Sequence, residues 1–147
     1  MTWTEVVSTL TLVAVVAAVV QLRLHNQQMH RDFEGMYVQR YWALMDRRSS
    51  SFQVEGRPST SDAAVIHAYL QLCEDELDLR RVGRITDSTW VEWARWIREQ
   101  CDSAGYVEAL DAAPADNWPR LREHLASQGA GSDPVEHGRV WRFLHGL

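Results

Sequence analysis

The chain has 147 residues and a formal net charge of −5, and all fifteen of its basic residues are arginine. That length accommodates one domain plus an appendage, and the absence of lysine reads as the bias of a GC-rich bacterial genome. Every arginine, and every acid except Glu5, lies beyond Leu22, so the bulk of the chain is acidic and lacks the basic footprint of a nucleic-acid binder. Cys73 and Cys101 stand on separate helical segments without a CxxC spacing and read as buried thiols.

A mean hydropathy of −0.33 conceals a sharp asymmetry. No charge falls between Val6 and Leu22, and Leu10 to Val20 reads LTLVAVVAAVV. At about 1.5 Å per residue this run reaches about 25 Å, the short end for a bilayer core of about 30 Å. Trp3 suits the headgroup boundary, and Arg23 can carry its charge outward while its stem stays in the apolar zone. In lipid a lone segment must satisfy its own backbone, so the valine-rich run is expected to be helical. A cleaved signal peptide would place a basic residue ahead of the run, where only Glu5 stands. A buried core helix is the other rival, since it too can be apolar all round.

The expectation is therefore an anchor over residues 1–25, in contact with membrane lipid, and a helical domain over 26–147. Arg23, Arg31 and Arg40 follow the run and no basic residue precedes it. This asymmetry predicts an outside N-terminus and a cytoplasmic domain. Thr11, Ala14, Ala18 and Gln21 share one face of the run, a spacing that lets two spans approach closely. Compositional bias towards alanine explains the same pattern without any association.

Residues 26–48 contain no proline, and Met29, Phe33, Met36, Tyr37, Arg40, Tyr41, Leu44 and Met45 recur at helical spacing. Gly35 is the one weak point in the pattern. Anchor and first domain helix are thus expected to form one rod. Ser49 to Thr60 is a loop by composition. Thr60 or Ser61 is expected to cap a helix that opens with Asp62 and stops near Gly83, with Ile66, Tyr69, Leu70, Cys73 and Leu77 inward. Thr86 caps the next helix, which carries Trp90, Trp93, Ala94, Ile97 and Cys101 along one side. Tyr106 to Leu110 forms a short helix, Trp118-Pro119 starts another, and Gln128 to Asp133 is a loop before a last helix over 134–145. With no strand-like alternation, the fold class is all-α.

The stretch from Tyr69 to Glu76 (YLQLCEDE), then Gly83-Arg84-Ile85-Thr86, then Trp90-Val91-Glu92-Trp93, resembles short bacterial single-span membrane proteins of an uncharacterised family. The resemblance covers about 35 residues. It implies an N-terminal span and an acidic helix, glycine turn and tryptophan helix, and carries over no activity.

His67, Gln71, Glu74 and Asp78 form one polar strip on their helix. A metal or proton-transfer role would want ligands three or four residues apart, and His67 precedes Glu74 by seven; a solvated or salt-bridged strip is the plainer reading. Glu76 lies at the edge of the buried face, with Arg80 one turn on in the favourable order for an ion pair. It reads as a clasp across the glycine turn, with Arg84 or Arg95 as other partners, or else as a contact for a partner or ligand. Trp93 and Trp96 lie about 60° and 120° off the line of Trp90, making the aromatic face wider than one neighbouring helix requires. Core packing is the plain reading of Trp90 and Trp93, whereas an exposed Trp96 would mark a binding surface or a headgroup layer.

No metal-spaced histidine pair, phosphate-cradling glycine loop or nucleophile elbow appears, so no cofactor and no catalytic residue is expected. The sequence favours a non-enzymatic module that binds a protein partner through Trp93, Trp96 and Glu76. A homo-oligomeric membrane effector of a stress or phage-defence type is the alternative, and a metal-dependent enzyme using the acidic strip is a third.

Overall fold

A computed structural model describes residues 2–127, 133–135, 138 and 140–142. Between residues 2 and 127 the α-helices follow in the order α1 (Trp3–Met45), α2 (Ser50–Glu55), α3 (Ala63–Arg81), α4 (Asp87–Cys101), α5 (Ala104–Ala112) and α6 (Pro119–Ala126). No strand occurs among the described residues, so the all-α expectation holds.

Helix α1 is the expected rod. Its 43 residues extend about 65 Å. Thr2 and Glu5 form a capping box at its start, each side chain taking the other's backbone N–H. The first half is long and apolar enough to cross a membrane, and none of its most apolar window is buried. Thr11, Ala14, Ala18 and Gln21 are all exposed on it. The Thr11 hydroxyl donates to the Val7 carbonyl at 2.9 Å, so its proton is already used within the helix.

The second half of α1 docks onto the α3–α4 hairpin. Tyr37 and Met45 are buried as the spacing predicts, but the docked face is rotated from the predicted stripe. Met36 and Arg40 lie outside it, and His30 lies inside, bonded through Nδ1 to the Arg84 carbonyl at 2.9 Å. The cause is polar: the turn after α3 needs partners that α1 supplies. Glu34 accepts from the Thr86 backbone N–H at 2.9 Å and its hydroxyl at 2.8 Å, extending the cap of α4.

Helix α3 is the central element, packed against α1, α4, α5 and α6. Its predicted inner residues are all buried, and Val65 and Leu72 join them because α3 has neighbours on several sides. Gly83 adopts a positive φ of 71°, and the Arg84 N–H reaches back to the Leu79 carbonyl at 2.9 Å. This glycine-terminated helix end is the one expected. Thr86 caps α4 through the Thr89 N–H, also as expected.

The segment from Ser49 to Thr60 departs from the expected loop, since Ser50–Glu55 forms helix α2. Nor is the cap ahead of α3 supplied by Thr60 or Ser61. Ser59 provides it, before a 3-10 turn over Thr60–Asp62 that runs into α3. The reason is Asp62, which is buried and accepts from the Ser49 hydroxyl and N–H at 2.6 and 2.7 Å and from both groups of Ser59 at 2.7 Å. The Ser49 hydroxyl and these other donors hold its carboxyl well below the usual range. One carboxylate thus closes a thirteen-residue loop and frees Ser49 to start α2.

Gly105, in the first turn of α5, lies against Pro58; an added Cβ would meet the proline ring at 2.7 Å. Gly105→Ala would gain up to about 1 kcal/mol of helix propensity. Overpacking against a rigid ring costs about 1–3 kcal/mol. The expected net result is a lower thermal midpoint, read by circular dichroism of the chain in mild detergent; a raised midpoint would show that the 57–59 segment yields freely.

Trp118-Pro119 opens α6 as expected, with Pro119 at the first position and Trp118 in the left-handed region at φ 53°. The expected loop over 128–133 and last helix over 134–145 fall largely outside the described residues; Val140 to Arg142 is helical.

Candidate functional site

The polar strip of α3 serves the joint with α6. Glu74 is buried and accepts from the backbone N–H groups of Leu121 at 2.8 Å and Arg120 at 3.2 Å, so its charge caps α6 at the positive end of the helix dipole. Asp78 takes the Arg120 guanidinium at 2.6 Å. The His67 ring packs edge-on against Trp118 with centroids 4.9 Å apart. Gln71 turns aside to bond Asp75. Three of the four residues therefore bind two helices together, as a salt-bridged strip would.

The clasp across the glycine turn exists, but Glu76 is not part of it. Arg80 is fully buried and sends its guanidinium the other way, to the Ile85 carbonyl at 2.7 Å and to Asp87 at 2.8 Å. It also binds Asp133 from the C-terminal segment, and its guanidinium lies 5.9 Å from the Trp90 ring centre. Arg142 joins Asp87 and Asp133. Burial alone would raise both acids, but hydrogen bonds from Arg142 and Arg80 to Asp87, and from Arg80 to Asp133, outweigh it and lower both. The one-turn spacing misassigned Arg80 because two acids outside α3 offer it better geometry.

Glu76 faces a cavity instead. Helices α1, α3 and α4 enclose a space of about 630 Å³, the size of a small-ligand site. Tyr37, Tyr41 and Trp42 come from α1, Tyr69 and Glu76 from α3, and Trp93 and Trp96 from α4. Tyr37, Tyr69, Trp93 and Glu76 form a buried floor, while Trp42 and Trp96 stand at the rim, 58% and 46% exposed. The Tyr37 and Trp93 rings are 6.4 Å apart, and Tyr41 meets Tyr69 edge-on at 6.1 Å. The Tyr41 hydroxyl donates to Gln100 at 3.3 Å, which orients that wall.

The lining is electrically one-sided. Glu76, Glu92 and Glu99 contribute carboxyls, and among the described residues no basic side chain lines the space. No hydrogen bond or ion pair reaches the Glu76 carboxyl among the described residues, although the residue is 8% exposed. The arginine whose charge acts on it, Arg40, lies over the Tyr37 ring at 5.1 Å and pairs with Asp75 at 3.6 Å. Burial consequently pushes the Glu76 carboxyl up to about 8; Arg40 offsets part of that and Asp75 adds to it.

The structure thus brings the three expected contact residues, Trp93, Trp96 and Glu76, to one space. Sequence reasoning missed the opposite wall. Tyr37, Tyr41 and Trp42 lie within six residues of α1, and that aromatic density was the available signal. No family model, curated protein or solved structure matches the chain.

Proposed function

We propose that the protein is a membrane-anchored, non-catalytic interaction module that binds a protein partner through the cavity between α1, α3 and α4. The observation that carries this reading is the cavity itself: six aromatic side chains from three helices converge on a buried carboxyl that has no partner among the described residues. Aromatic residues concentrated around a pocket supply most of the energy of protein contacts. Trp42 and Trp96 keep large apolar area in water at the mouth, a cost that an occupant would relieve.

The bare apolar half of α1 supports the anchor. A core helix of a soluble domain would bury such a face. Its arginine asymmetry supports a cytoplasmic side for the domain, in line with the resemblance to short bacterial single-span proteins. The alternative, a homo-oligomeric effector, rests on the exposed face of Thr11, Ala14, Ala18 and Gln21.

Site-specific photo-crosslinking separates these readings. A photoreactive residue at Val38, on the cavity wall, is introduced into the full chain in membranes of its own cells. The expected product is a discrete adduct with a different protein, lost on Trp96→Ala. An adduct at twice the chain's own mass would favour the oligomer, and no adduct would reject a partner at this cavity.

A further inference from the structure

We propose that the group taken up by the cavity is an organic cation, an ammonium or guanidinium carried on an apolar frame, with Glu76 as its counter-ion and the tyrosine and tryptophan rings as its walls. The proposal rests on the reading of this cavity as the binding site and specifies the chemistry of the occupant.

Three features of the space converge on positive charge. Ring faces carry negative quadrupoles, and cations within about 6 Å of a ring centre are attracted, more strongly when water is excluded. Arg40 already shows the effect at the outer side of this wall, 5.1 Å from the centre of the Tyr37 ring. The titratable lining adds only acids, and Glu76 at the floor has no cation of its own among the described residues. An anion would meet Glu92 and Glu99 at the mouth, the latter paired with Arg95 at 3.7 Å, and Glu76 at the floor, and a neutral apolar ligand would leave the buried Glu76 carboxyl without a partner.

A phospholipid headgroup is excluded as the source by position. Tyr37 lies fifteen residues beyond Leu22, about 22 Å along a straight helix. That distance exceeds the headgroup layer of the anchor's own bilayer. The cation comes either free from solution or on a side chain of the partner.

Binding of a permanent cation must also depend on pH in a defined sense. The groups around Glu76 are Tyr37, Arg40 and Tyr41 on α1, Tyr69, Cys73 and Asp75 on α3, and Glu92 and Glu99 on α4. Burial raises the three tyrosines and Cys73, so they stay protonated near neutrality. Glu76 is protonated below about 8 in the empty cavity and must release that proton to act as counter-ion. Affinity therefore rises with pH up to about 8 and levels above it.

The test is calorimetric titration of the full chain in non-ionic detergent at fixed ionic strength. One matched pair is choline and its neutral isostere 3,3-dimethylbutan-1-ol; the second is N-acetyl-lysine amide or N-acetyl-arginine amide against N-acetyl-norleucine amide. The expected result is that the cation of at least one pair binds about tenfold or more tightly than its neutral counterpart. That preference should vanish in Glu76→Gln, weaken in Trp96→Ala, and grow with pH only when Glu76 is present. Choline as the better ligand points to a free cation, and the amino-acid amides as the better ligands point to a partner's side chain. Equal binding of charged and neutral probes, or none, overturns the cation proposal. It leaves the cavity reading to the crosslink at Val38, which needs no assumption about charge.

Discussion

Arg80→Ala is expected to cost about 3–5 kcal/mol of domain stability, with Arg80→Lys recovering only part of the loss. The guanidinium is fully buried, so its replacement by a methyl group opens a void beside Trp90. It also strips the Ile85 carbonyl of its donor, and a buried unsatisfied acceptor costs about 1–3 kcal/mol. Asp87 and Asp133 lose their shared fork, though both are partly exposed and recover some hydration. A lysine supplies one point charge and cannot reach a carbonyl and two carboxylates from a single planar group. Thermal unfolding of the full chain in detergent, followed by near-ultraviolet circular dichroism, reads these changes. An undiminished midpoint in the alanine variant would mean that water replaces the guanidinium without penalty.

Glu76→Gln is expected to do the opposite and stabilise the fold, by about 3 kcal/mol at pH 7. The folded carboxyl titrates at about 8, against an ordinary 4.5. Between those values the folded chain holds a proton that the unfolded chain has released. Stability conferred by this group therefore falls as pH rises from about 4.5 to about 8, then stays constant. Glutamine removes the titration, so the variant's advantage should be small near pH 4 and large near pH 8. Midpoints measured across that range check the sign directly. An advantage that did not grow with pH would place a cation beside Glu76 in the folded protein before any ligand arrives. Removing a group that destabilises its own fold and binds in a cavity is the familiar exchange of stability for function.

These two residues also mark the reach of sequence reading. Local features were legible: the apolar run that became the outer half of α1, the Gly83 helix end, the Thr86 cap and the Trp118-Pro119 start each depend on residues within a turn or two. Glu76 and Arg80 are one turn apart, and local rules pair them. The fold separates them because Arg80 finds Asp87 and Asp133 while Glu76 is carried into the space facing α1. Glu74 reads as part of a solvated or salt-bridged strip, but the sequence does not show that it caps a helix that begins more than forty residues later. Asp62 likewise acts on Ser49 across a loop whose serine-rich composition hid helix α2. In each case the deciding partner is distant along the chain, and composition and periodicity carry no record of it. Trp93 and Trp96 were found because face angles are local; Tyr37 and Tyr41 were seen only as part of a stripe, and Trp42 not at all, because what lies opposite them is not.

The continuity of α1 has a geometric consequence. The helix that carries the apolar run is the same one whose side chains wall the cavity. No proline falls between Leu22 and Tyr37, and Gly35 sits inside the unbroken helix. If the apolar run spans a bilayer, the height of the cavity mouth above it and its compass bearing are two readings of a single screw. One residue inserted between these points would lift the mouth by about 1.5 Å and swing it by about 100°. Four would lift it by about 6 Å and return it nearly to its original bearing. In the membrane-anchored reading, a partner confined to the same surface meets a mouth with a fixed elevation and azimuth, set by a residue count.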